Sequence, residues 1–204
     1  KILDGVKTID TIVGNLLGYA RVARREMNDQ VCIADVVGVA ADFAKPEIDR
    51  VGVTLKCDVP ANLHVTGNID QLRQVFLNLL LNGVQAMQQT GGTLSVRALR
   101  KESQSANGTR SWVVTEISDT GIGMSEEQKS RIFEDFYTTR EKGTGLGLAI
   151  SRKIIKVHGG EITFESEWKK GTTFRVYLPR AEEAARGGVP PKNPARGQTA
   201  GKAR

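Results

Sequence analysis

Cysteine is scarce in this chain, and the two that occur, Cys32 and Cys57, form no C-x-x-C pair and have no histidine at a metal-ligand spacing. That excludes a disulfide-stapled scaffold and a zinc ribbon, and the thiols read as the reduced ones of a cytoplasmic protein. Long apolar runs are lacking as well. No stretch reaches the roughly 18 residues a membrane span needs, and the N-terminus has no apolar signal-peptide core. Excess charge is missing from the body of the chain. The formal net charge is +6, but most of it lies in the final stretch, where Arg180, Arg186, Lys192, Arg196, Lys202 and Arg204 face only Glu182 and Glu183. A nearly neutral body offers no basic face, so nucleic acid is not an expected partner. What remains is ordinary globular usage, 39% hydrophobic and 25% charged over 204 residues, enough for one compact domain with appendages.

Ile2, Val6, Ile9, Val13, Leu16, Ala20, Ala23 and Met27 recur at alternating spacings of four and three, the seam of a bundle helix that needs partners. Residues 34–50 read as a second helix with a kink or restart at Pro46, and 53–58 and 63–66 as short strands. Asn68 and Gln71 form a candidate capping box for a helix over 68–88. Strands are expected over 93–100 and 111–118, joined by a polar loop from Lys101 to Arg110. Ser125 and Gln128 suggest another capping box before a short helix. The Thr- and Gly-rich stretch 134–147 reads as a mobile loop, Leu146–Val157 as a helix, and 160–166 with 172–178 as a final strand pair. Beyond Ala181, prolines and glycines occur with Val189 as the one large apolar residue, which predicts a disordered tail. The expected division is 1–30 as a dimerisation helix, 31–180 as the main domain and 181–204 as a basic tail. The fold class is α+β, a two-layer α/β sandwich with helices on one face of a mixed sheet.

Three elements carry chemistry. The helix over 68–88 presents Gln71, Gln74, Asn78, Asn82, Gln85 and Gln89 as a polar stripe opposite its leucines. Asparagine is a poor mid-helix residue, and Asn78 and Asn82 set two neutral amide oxygens one turn apart, suited to a hard cation or a phosphate-bound water. Asp119-Thr-Gly121-Ile-Gly123 ends an apolar strand; its carboxylate can accept from an exocyclic amine, and its glycines let a flat ring approach the backbone. Gly143-Thr144-Gly145-Leu146-Gly147-Leu148 runs straight into a helix, an arrangement of exposed N–H groups that suits phosphates. It matches neither the Walker A loop nor the dinucleotide glycine pattern.

In this order, the three elements resemble the N, G1 and G2 boxes of the catalytic domain of sensor histidine kinases, the Bergerat ATP-binding fold shared with gyrase, Hsp90 and MutL. Ile132 to Arg140 is similar to the F box leading into an ATP lid, and Gly171-Thr172-Thr173-Phe174 to the last glycine box. The resemblance covers about residues 60–179, and Leu72 to Met87 is closest in style to kinases of the nitrogen-regulation type. It implies ATP and Mg²⁺ as cofactors, with Asn82 as the metal ligand and Asn78 supporting the phosphate side. Asp119 would accept from the adenine amine in a pocket shaped by Gly121 and Gly123. Thr138, Thr139, Arg140 and Lys142 would belong to the lid, with Arg140 or Lys142 reaching phosphate oxygens. Gly143, Thr144, Gly145, Leu146, Gly147 and Leu148 would pack on the phosphates, and Thr172 would lie at the adenine-side floor.

The resemblance also implies γ-phosphoryl transfer to a histidine, relay to a response-regulator receiver aspartate, and a homodimer through residues 1–28. Residues 1–28 resemble the second helix of the dimerisation hairpin; the first helix, with the acceptor histidine, is expected to belong to a longer parent. His64 and His158 lack an acceptor's context and read as structural. Two residues depart from the family: Gly83 stands where alanine is usual and is expected to loosen the helix beside Asn82, and Gln85 stands where many relatives carry a basic residue. A gyrase-type ATPase is disfavoured, because Asn78 stands where those relatives have a Glu and an amide cannot act as base. A dimeric interaction module is the other alternative.

Overall fold

The computed structural model describes residues 29–105, 108–139 and 143–181. The proposed dimerisation helix, the basic tail, Arg140 and Lys142 lie outside the described residues. The elements run β1 (Asp29–Cys32), α1 (Ile33–Val51), β2 (Val53–Asp58), β3 (His64–Gly67), α2 (Ile69–Ala86), β4 (Gly92–Ser105), β5 (Gly108–Asp119), α3 (Glu126–Arg131), α4 (Gly147–Val157), β6 (Glu161–Glu167) and β7 (Gly171–Pro179).

Five strands form one sheet in the order β2-β4-β5-β7-β6. β2 is parallel to β4 and the other neighbours are antiparallel. Period-two alternation along the strands turns Leu94, Val96, Val113, Ile117, Phe174 and Val176 to one face, where they join Leu72, Phe76, Leu79 and Leu80 of α2 in a single core. α1 contributes Val36, Val37, Ala40, Ala44 and Ile48 at helical spacing. Burying a side chain such as Phe76 in this way contributes about 1.5–3 kcal/mol. This is the expected α+β sandwich.

Some local expectations are corrected. Residues 29–32, of which 29 and 30 were expected to close the dimerisation helix, form β1, which pairs antiparallel with β3. The chain does not restart at Pro46: α1 is continuous across it, because the proline is exposed and water can serve the carbonyl deprived of its helical partner. The segment read as a polar loop is mostly strand, paired down to Ser105 and Gly108. Its polar side chains satisfy one another across the hairpin, with Arg100 Nε donating to Ser111 Oγ at 2.7 Å and Trp112 Nε1 to Ser103 Oγ at 2.9 Å, so polarity there signals a wet ribbon rather than a loop.

The capping box at α2 is half present. Gln71 N donates to Asn68 Oδ1 at 3.1 Å, but the Asn68 backbone N–H goes to His158 Nε2 at 3.0 Å, and the Gln71 side chain is buried. The box at Ser125 and Gln128 is complete. His158, read from sequence as structural, is buried with Nδ1 2.8 Å from the Ile154 carbonyl oxygen. Nδ1 therefore carries the proton and Nε2 accepts.

Burial holds the His158 pKa below its ordinary 6.5, because a protonated ring would lose both solvation and the acceptor at Nε2. A depressed histidine contributes stability that is fully present above about pH 6.5 and is lost as pH falls through the folded value. In an Asp119→Asn background, which removes the opposing titration of that buried carboxyl, we expect urea midpoints to drop on acidification through this window. His158→Ala should cost about 2 kcal/mol at pH 8, through the orphaned Asn68 N–H, and should flatten that acid limb. An unchanged limb in the variant would refute the assignment.

Candidate functional site

The site lies where α2, the end of β5, the start of β7 and the N-terminus of α4 converge. Asp119, the last residue of β5, is 8% exposed. Its Oδ1 accepts from Gly121 N at 2.9 Å and Thr172 N at 3.3 Å. No hydrogen bond reaches Oδ2 among the described residues. Desolvation by burial pushes the carboxyl pKa up to about 6, and the two backbone donors only partly offset it. One oxygen of Asp119 is thus an anchor and the other an acceptor in search of a donor.

Glycines hold this arrangement by close backbone approach. A Cβ on Gly121 would lie 2.6 Å from the Ala86 carbonyl oxygen at the end of α2, the same oxygen that accepts from Ile122 N at 3.1 Å. Gly171, at φ +114°, has its α-carbon hydrogens where a Cβ would overlap the Asp119 carbonyl. Gly123 likewise sits against the Glu167 carbonyl, and Lys169 N donates to Ile122 O at 2.7 Å. The loop after β5 is therefore wedged between α2 and the β6–β7 turn. Thr172 is buried, its hydroxyl 2.9 Å from Ser166 Oγ, and its backbone N–H donates to Asp119 Oδ1.

Gly83 does not loosen α2, which is continuous from Ile69 to Ala86. It is buried, and a Cβ there would lie 2.7 Å from Leu94 Cδ1 and 3.4 Å from Asp119 Cβ. Glycine lets the helix settle onto β4 and β5 beside the carboxylate. The polar stripe continues through half-buried Gln74, Asn78, Asn82 and Gln85, whereas Gln89 lies past the helix end.

On the far side, α4 begins at Gly147 with no side-chain cap; its N-cap residue is Leu146, so the helix start carries partial positive charge that no cap of its own answers. Leu146 N is 3.4 Å from Thr144 Oγ1, Leu146 itself is buried in the core, and Leu148 packs against that core. Gly143 is exposed, and Gly145, at φ +67°, packs on the backbone of Phe136. Thr138 and Thr139 are exposed.

Asn78 reaches across to α4: its Nδ2 donates to Ser151 Oγ at 3.0 Å, and its amide lies against Gly147. Sequence reasoning missed Ser151. The available signal was a small hydroxyl among Ile150, Ile154 and Ile155 on the apolar side of a helix.

As for a cation, no cluster of three or more His, Cys, Asp or Glu side chains suited to a metal occurs among the described residues. The half-buried Asn82 offers a neutral amide oxygen, a donor of the hard type that magnesium takes alongside phosphate and water. Among the described residues, no helix is long and apolar enough to cross a membrane.

Residues 67–182 match the family model described as histidine kinase-, DNA gyrase B-, and HSP90-like ATPase. The chain is 32% identical over 185 residues to sporulation kinase E of Bacillus subtilis (strain 168), covering 90% of this chain and 24% of that protein. It is 38% identical over 139 residues to the sensory histidine kinase/phosphatase NtrB of Azospirillum brasilense, covering 65% and 34%. The chain thus spans about a quarter to a third of the length of these relatives. Full-length ShkA in complex with AMPPNP superposes with a TM-score of 0.66 at 25% identity, covering 85% of this chain and 36% of that one.

Proposed function

The chain belongs to the histidine kinase-, DNA gyrase B- and HSP90-like ATPase family, and on that footing we propose that residues 31–180 bind Mg-ATP as the catalytic part of a two-component sensor histidine kinase. The observation that carries the reading is Asp119. A buried carboxylate with one oxygen tied to Gly121 and Thr172 and the other without a hydrogen bond among the described residues fits the adenine amine as its donor. Gly121 and Gly123 thin the wall for a flat ring. The uncapped first turn of α4 takes phosphate oxygens, with Gly143, Thr144, Gly145, Leu146, Gly147 and Leu148 lining the approach. Thr138, Thr139, Arg140 and Lys142 are assigned to the lid from the sequence, with Arg140 or Lys142 supplying the positive charge that Gln85 does not.

Asn82 holds magnesium, which when bound neutralises phosphate charge. Asn78 supports the phosphate side. Catalysis is then a matter of alignment, since phosphoryl transfer asks little covalent chemistry of the protein. In the parent enzyme the γ-phosphoryl passes to a histidine on the dimerisation hairpin and from there to a receiver-domain aspartate. Residues 1–28 mediate the homodimer, and the site works in the cytoplasm. Asn78 carries no carboxylate, so water activation of the gyrase kind has no base at that position.

Calorimetric titration tests the reading. Mg-ATP is expected to bind in the micromolar to millimolar range. Asn82→Ala should weaken binding about tenfold or more with magnesium present and leave metal-free ATP affinity nearly unchanged. A folded chain that takes up no nucleotide would overturn the proposal.

A further inference from the structure

Helices α2 and α4 carry the two halves of the phosphate end of the site, and a side-chain hydrogen bond joins them at each end. Far from the nucleotide, the joint is Asn68 N to His158 Nε2 at 3.0 Å. Near it, Asn78 Nδ2 donates to Ser151 Oγ at 3.0 Å, and the Ser151 hydroxyl donates in turn to the Gly147 carbonyl at 2.9 Å. Ser151 is 2% exposed, so its hydroxyl depends on these protein partners rather than on bulk water.

We propose that Ser151 is a positioning residue that fixes the orientation of the Asn78 amide and with it the spacing between the cation side and the phosphate side of the site. This rests on the nucleotide reading given above. The donor and acceptor inventory leaves one arrangement. The single hydroxyl proton is committed to Gly147, so Ser151 can only accept from Asn78, which makes Nδ2 the atom it holds. Oδ1 is thereby turned onto Gly147, at the first turn of α4. Asn82 follows one turn later on the same side of α2, so a rotation of Asn78, or a slip of α4 along α2, moves the phosphate-binding amides relative to the metal ligand. Adenine recognition through Asp119 lies on β5 and does not depend on this joint.

The test compares ligands. Ser151→Ala is expected to weaken Mg-ATP binding about tenfold while adenosine, followed by NMR titration, binds as in the wild type; a tenfold change matches one lost hydrogen bond of about 1.4 kcal/mol. His158→Ala loosens the same pair of helices at the far end and should leave the ratio of Mg-ATP to adenosine affinity unchanged. Should Ser151→Ala fail to fold, Ser151→Cys keeps the volume, weakens the bond and carries the same expectation. Equal losses for both ligands, the same ratio shift in His158→Ala, or no shift at all would overturn the assignment while leaving the nucleotide reading standing. A wild-type chain that binds adenosine but not Mg-ATP would overturn both.

Discussion

Asp119→Asn is expected to make the unliganded protein more stable while lowering Mg-ATP affinity about 100-fold. Both halves follow from the burial of one carboxylate. An acid whose folded pKa is raised binds its proton more tightly folded than unfolded, so stability is greatest below the unfolded value of 3.8 and is lost as pH rises to the folded value of about 6. Above that window, the charged side chain costs folding about 3 kcal/mol. Asparagine keeps Oδ1 for Gly121 and Thr172 and removes the charge, so up to that amount should return at pH 8, and the difference should shrink toward zero near pH 4. Binding moves the other way. Nδ2 would place a donor where the adenine amine needs an acceptor, and a mismatch of about 3 kcal/mol is about a factor of 100. Thermal denaturation over a pH series, with titrations at pH 8, reads both effects. A variant with reduced stability at pH 8, or with wild-type affinity, would show that Asp119 is not the strained acceptor described above. The wild type should itself bind more weakly as pH drops through about 6, in the same range where His158 begins to matter; the two variants separate the contributions.

Gly171→Ala should be the most damaging small substitution. The φ of +114° is disfavoured for any side chain, and the added methyl would enter the Asp119 carbonyl and press on Thr120 Cα at 3.1 Å. Backbone cannot rotate aside as a side-chain tip can, so β7 must part from β5 where Thr172 donates to Asp119. The combined backbone and overlap cost is about 3 kcal/mol or more, a large share of a typical domain's stability. Loss of soluble expression, or a fall in melting temperature of 10 °C or so with nucleotide binding abolished, is the expected result. Gly83→Ala makes the informative contrast, since there the methyl meets the tip of Leu94 rather than main chain. Equal tolerance of the two changes would contradict the packing described.

The parts of the site that chemistry concentrates in short stretches were legible from the chain alone. Asp119 with its glycines, the loop entering α4 and the paired asparagines each announce themselves within a few residues, because close backbone approach and amide ligands demand particular residue types. The sandwich followed from alternating and helical periodicities. What escaped is set by distance. Asn68 and His158 are 90 residues apart, and no local pattern says that an imidazole rather than Gln71 will serve the helix start. The partnership of Asn78 with Ser151 spans 73 residues. β1 is four residues long and is stabilised by β3 rather than by its own pattern. The extended hairpin looked like a loop because several of its polar residues find their partners across the strands, as Trp112 does with Ser103 and Thr109 with Gln104. Gly83 looked like a weakness for the same reason: its neighbours Leu94 and Asp119 come from other elements.

The wedge of the Asp119–Gly123 loop against the β6–β7 turn has an optical consequence. The chain has two tryptophans. Trp112 is fully enclosed, whereas Trp168 is 53% exposed and precedes Lys169, whose N–H is bonded to Ile122 in that loop. The indole of Trp168 thus adjoins the loop that would wall the proposed adenine pocket and is open to collisional quenchers, while that of Trp112 forms a constant background. The protein carries a fluorophore adjoining Lys169, whose N–H is bonded to the loop after Asp119, and Trp168 emission is expected to change if the proposed nucleotide binds there.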